Sequence, residues 1–90
     1  MREFEVVRIF PNPASTSTQV RLDMSEEAAV QISIQNLSGE IVLQQNTGML
    51  PLGYNEITLD LSSVPNGSYF LTLLSTDRVL TLPLIVSKED

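Results

Sequence analysis

The chain has 90 residues, enough for one small domain with a modest core. It carries 11 acidic and five basic side chains, a net charge of −6, and no Cys, His or Trp. This composition excludes disulfides, thiol nucleophiles, Ser-His-Asp triads and the usual zinc sites, and it argues against nucleic acid, whose phosphates need clustered Lys and Arg.

The basic residues are instead scattered, as Arg2, Arg8, Arg21, Arg78 and Lys88. Met1 to Phe10 has no apolar core of a signal peptide, and no apolar run is long enough for a membrane helix. Neither a signal peptide nor membrane insertion is therefore expected.

Glu5 to Phe10 reads as a first strand, stopped by Pro11-Asn12-Pro13, whose prolines lack backbone donors and force extended dihedrals on their predecessors. Thr18 to Met24 alternates, with Val20, Leu22 and Met24 inward, and Ser25 to Ala28 is a turn. Val30, Ile32 and Ile34 alternate with Gln31, Ser33 and Gln35 in the next strand. That strand forms a hairpin with Ile41 to Gln45. Gly39 supplies the positive φ of the hairpin turn, and Asn36 accepts hydrogen bonds from loop amides.

Asn46 to Gly53 reads as a longer connection, with Met49, Leu50 and Leu52 packing over one end of the core. Asn55 to Leu61 is a strand with Ile57, Leu59 and Leu61 inward. Val64-Pro65-Asn66-Gly67 has turn chemistry. The segment after it is apolar on both faces, Tyr69, Leu71 and Leu73 alternating with Phe70, Thr72 and Leu74, so it is expected at the centre of a sheet and covered on both sides. Tyr69 is read as a core ring whose hydroxyl reaches a backbone group, as in the tyrosine corner of sandwich folds, rather than as a ligand platform. Thr76-Asp77-Arg78 is a second reversal. Val79 to Val86 is the last strand, with Leu80, Leu82, Leu84 and Val86 on one face and Pro83 marking an edge or a bulge.

Seven short strands with evenly spaced turns and no helix imply an all-β, seven-stranded antiparallel immunoglobulin-like β-sandwich. The acids fall mostly at turns, chain ends and outward positions, where they are solvated charges rather than a catalytic pair or a calcium loop. Asn36-Leu37-Ser38 and Asn66-Gly67-Ser68 match the N-glycosylation pattern but are explained by turn chemistry. No enzyme activity and no cofactor are expected.

Four pieces occur in one order: Phe10-Pro11-Asn12-Pro13-Ala14, then Asn36-Leu37-Ser38-Gly39-Glu40-Ile41-Val42, then Gly53 followed by Ile57 to Ser62, then Val64-Pro65-Asn66-Gly67-Ser68-Tyr69-Phe70-Leu71. Together they resemble the C-terminal sorting domain (type A) of proteins exported by the type IX, or Por, secretion system of Bacteroidetes. The resemblance covers about Phe10 to Lys88 and implies one sorting domain over residues 1–90. It implies a cargo attached at its N-terminal side, export through the periplasm and the outer-membrane translocon, and removal of the domain by a sortase-like peptidase. The cargo would then be secreted or held at the cell surface. The candidate recognition residues it marks are Pro11, Asn12, Pro13, Asn36, Gly39, Gly67, Tyr69 and Lys88. Lys88 is a lone base before Glu89-Asp90, where family members often carry more basic residues. The competing reading is an immunoglobulin-like or fibronectin-like adhesion, spacer or sugar-binding module.

Overall fold

Strands with one apolar face must bury that face against a second layer, and the alternation along this chain produces two sheets. A computed structural model describes residues 4–76 and 78–88. Among them it shows seven strands: β1 (Phe4–Phe10), β2 (Ser17–Met24), β3 (Ala28–Gln35), β4 (Ile41–Leu50), β5 (Gly53–Asp60), β6 (Gly67–Leu74) and β7 (Val79–Val86). One sheet has the order β1-β2-β5 and the other β4-β3-β6-β7. Every strand pairing is antiparallel, so the expected sandwich is present. A single parallel bridge, Ala14 to Val86, ties the loop after β1 to the second sheet.

The core lies between the sheets. Phe4, Val20, Leu22, Met24, Ile57 and Leu59 enter from the three-stranded sheet, and Val30, Ile32, Ile34, Tyr69, Leu71, Leu73, Leu84 and Val86 from the other. Ala14, Leu61 and Val64 close it from loops. Burying a side chain of Val, Leu or Ile size contributes about 1.5–3 kcal/mol, which makes this inward set the main source of stability.

Three expectations need correction. β6 is central, between β3 and β7, but covered on one face only: Phe70 and Leu74 are exposed on the outside. Residues 46–50 are not a connection, because β4 continues through them to Leu50, and only Pro51 and Leu52 link it to β5. A register shift between Ala29 and Gln31 carries β4 past Gly48, whose φ is +70°. The Val30 N–H opposite the irregularity is satisfied by Thr47 Oγ1 at 3.1 Å. Here glycine serves a bulge rather than a loop. Met49 and Leu52 consequently point to solvent, and only Leu50 packs on the core. Ser33, expected outward, is buried, since neighbours on both sides of central β3 cover it. Of the Thr76-Asp77-Arg78 reversal, Asp77 lies outside the described residues; Ser75 N–H donates to Arg78 O across it at 2.9 Å.

Register sorts the loops by end. Gly67 pairs with Val86, and Gln35 pairs with both Ile41 and Phe70. The β3–β4 loop, the β5–β6 turn and the end of β7 therefore share one end of the four-stranded sheet. Ala14 joins them through Val86. Phe4, which pairs with Met24, lies at the opposite end with the β4–β5 link and the β6–β7 reversal. The long dimension of the molecule is 41 Å.

Candidate functional site

The sequence motifs converge on one end of the sandwich, and the chemistry that gathers them is mostly amide pairing. Two prolines leave the Pro11–Pro13 segment without backbone donors at both positions, so it cannot add to a sheet by an ordinary ladder. Asn12 substitutes for one. Its Oδ1 accepts from Ile85 N–H at 3.1 Å and its Nδ2 donates to Pro83 O at 3.2 Å. The carboxamide thus pairs with the outer edge of β7 as a peptide group would. Ala14 continues the pairing through its backbone: its N–H donates to Ile85 O at 2.8 Å and its carbonyl accepts from Ser87 N–H at 2.7 Å. Thr18, buried at the start of β2, donates its hydroxyl to Pro11 O at 2.8 Å and fixes the other side of the loop.

The β5–β6 turn holds the chain after β7 in the same way. Asn66 Oδ1 accepts from Lys88 N–H at 2.8 Å, and Asn66 Nδ2 donates to Lys88 O at 3.4 Å. Lys88 Nζ reaches Ser62 O at 3.1 Å. Ser62 N–H in turn donates to Asp60 Oδ1 at 3.0 Å. The backbone and hydroxyl hydrogen bonds of Ser62, aided by the positive charge of Lys88, hold the Asp60 carboxyl below its ordinary value. A small cavity lined by Ser15, Thr16, Ser87 and Lys88 opens between the two anchored segments.

Tyr69 supports the turn from beneath. Its ring is 7% exposed, and its hydroxyl donates to Pro65 O at 2.5 Å, four residues upstream. This is the tyrosine-corner arrangement expected from the sequence, with the ring as core rather than platform. Gly67 lies against the ring: a Cβ there would meet Tyr69 Cε2 at 3.5 Å, an ordinary van der Waals contact. Asn36 and Gly39 sit at the same end in the β3–β4 loop. Asn36 Oδ1 accepts from Ser38 N–H and Glu40 N–H, both at 3.0 Å, and Gly39 has φ +90°. Their hydrogen bonds stay within that loop, with Asn36 Nδ2 donating to Glu40 Oε1 at 3.0 Å.

Pro11, Asn12, Pro13, Gly67, Tyr69 and Lys88 therefore belong to one connected assembly, and Asn36 and Gly39 stand beside it. Sequence reading missed Asn66 and Ser62 as partners of Lys88, and Ala14 as a partner of β7. Asn66 was legible only as a turn residue, because its partner lies 22 residues away.

The fold is similar to that of the crystal structure of the C-terminal domain of wzt, with a TM-score of 0.61 at 11% sequence identity, covering 100% of this chain and 75% of that one. No curated protein matches the chain. The family model described as "Secretion system C-terminal sorting domain" matches residues 8–87, from within β1 to one residue past β7. That span takes in the Pro11–Ala14 plug, the Asn36 loop and the Tyr69 corner, so the chain belongs to the family of secretion-system C-terminal sorting domains and is a sorting-signal domain of type IX secretion.

Proposed function

We propose that the end of the sandwich built from Pro11–Ala14, Ser62–Gly67 and Ser87–Lys88 is the surface by which the type IX translocon reads this domain. The domain carries the address and no catalysis of its own. A protein attached upstream of β1 is exported through the periplasm and outer membrane, and a sortase-like peptidase then removes the domain. The observation that carries this reading is positional. Phe4 and Lys88 lie at opposite ends of the sandwich, so a cargo joined before β1 leaves the Lys88 end unobstructed. The polar groups there are also held in fixed positions by the paired carboxamides of Asn12 and Asn66.

The test is export of a reporter fused upstream of the domain in a bacterium with a working type IX system. Asn66→Ala removes both carboxamide bonds to the Lys88 backbone and Lys88→Ala removes the Nζ contact with Ser62 O, without touching the core. Ile57→Val, at a buried β5 position far in sequence from the tail, controls for a small stability loss. Reporter that reaches the cell exterior with Ile57→Val but is retained with the two tail variants supports the reading. Export of the tail variants at the level of the unaltered domain would sink it.

A further inference from the structure

The side of the sandwich between the edge strands β1 and β7 holds a groove of about 530 Å³ that runs from Arg78 to the plug at Asn12 and Pro83. Its apolar floor is Val6, Ile9, Leu80 and Leu82, all partly buried against the core. Its charged lining is Glu5, Arg8 and Arg78. Two of the chain's five basic residues thus face one groove of a protein whose net charge is −6.

The edge of β7 along this groove is only half used. Directly opposed residues in an antiparallel pair alternate between exchanging hydrogen bonds and turning those groups away. Pro83 has no N–H to exchange with Phe70, and Ile85 gives its N–H and carbonyl to Asn12 and Ala14 rather than to β6. The register from Val79 to Val86 has no shift. Val79 and Thr81 therefore also turn their backbone groups outward, and they find no partner there among the described residues. The plug ends at Pro83. Beyond it, toward Arg78, the edge is an open template for an added strand.

Arg78 supplies the second requirement. Its guanidinium lies 5.5 Å from the centroid of the Phe4 ring, and its Nε is buried with no hydrogen-bond partner among the described residues. Arg78 also lines the groove, and a carboxylate is the strongest acceptor a polypeptide offers the exposed part of a guanidinium.

We propose that this groove docks an extended, acidic segment of a partner polypeptide, which pairs with the Val79–Thr81 edge of β7, lays an apolar side chain on Leu80 and Leu82, and sets a carboxylate against Arg78. About five residues of strand span the distance from Arg78 to the plug at Pro83.

The probe is a synthetic peptide of about seven residues alternating valine and threonine with one aspartate, compared with the same peptide carrying lysine instead. Binding is read by fluorescence anisotropy and by amide shifts in labelled protein. The aspartate peptide should bind about tenfold more tightly than the lysine peptide and shift the Val79 and Thr81 amides. Thr81→Pro removes one outward N–H at a position equivalent to Pro83 and should abolish binding of both peptides. Arg78→Gln should remove the difference between the peptides, and it keeps the test decisive should Thr81→Pro fail to fold. No binding of either peptide at millimolar concentration would overturn the proposal. So would shifts confined to the Lys88 end, equal binding of the two peptides, or self-association through β7 that excludes the peptide.

Discussion

Tyr69 shows how much one side chain can do in this fold, because it contributes a buried ring and a satisfied hydroxyl at once. The two are separable. Tyr69→Phe removes only the hydrogen bond to Pro65 O and should cost about 1 kcal/mol, whereas Tyr69→Ala also leaves a cavity and should cost about 3–5 kcal/mol. Thermal unfolding of the pair would show the difference. Gly39 makes a different kind of contribution. Nothing lies within 4 Å of a Cβ placed on it, yet its φ is +90°, so a substitution there meets backbone strain rather than a clash. Gly39→Val should destabilise by about 1–2 kcal/mol and Gly39→Asn by less, since Asn tolerates left-handed dihedrals. Equal losses would mean the turn relaxes to negative φ. Asp60 gives the tail end a pH dependence. Its pKa is lowered in the folded state, so its contribution is full above the ordinary value of 3.8 and is lost as pH falls through the depressed folded value. Melting temperatures from about pH 5 to pH 2 should fall less steeply for Asp60→Asn than for the unaltered chain.

At the scale of elements, β4 and β7 are the edges of the larger sheet, and each is managed differently. β4 twists through a bulge at Gly48 and buries none of its residues fully. β7 carries Pro83 where no donor is needed and is covered from Pro83 onward by Asn12 and Ala14. Pro83 marks an edge in the sequence, and β7 lies at the edge of its sheet. What covers the edge was not legible, since Asn12 and Ile85 are 73 residues apart. The plug is testable: Asn12→Ala should speed hydrogen exchange at the Ile85 amide and lower stability by about 0.5–1.5 kcal/mol. An unchanged exchange rate at Ile85 would show that Asn12 does not protect it in solution.

At the scale of the whole molecule, both sheets feed one core, and Leu61 N–H to Thr16 O at 2.8 Å and the Ala14–Val86 bridge tie the loop after β1 to β5 and to β7. Unfolding should be a single transition. Leu22→Ala in one sheet and Leu71→Ala in the other should each lower that transition by about 2–5 kcal/mol. Two transitions, each responding to only one variant, would mean that the sheets melt independently.

The sequence by itself determined that this is an antiparallel sandwich. The period-2 alternation in Val20-Leu22-Met24, Val30-Ile32-Ile34 and Ile57-Leu59-Leu61 is a local property, and one buried face per strand implies two packed layers of antiparallel sheet. It also determined the β3–β4 and β5–β6 turns, because Asn36, Gly39 and Pro65 take part in contacts within a few residues of themselves. Tertiary structure alone decided which face of β6 is open, because Phe70 and Leu73 are both apolar and only the second sheet's position distinguishes them. It alone decided that Gly48 serves a bulge, because that depends on the register with β3. It also decided that Asn12 and Asn66 spend their carboxamides on β7 and on Lys88. Hydrogen bonds across such sequence distances depend on where the strands come to rest, which no local pattern encodes.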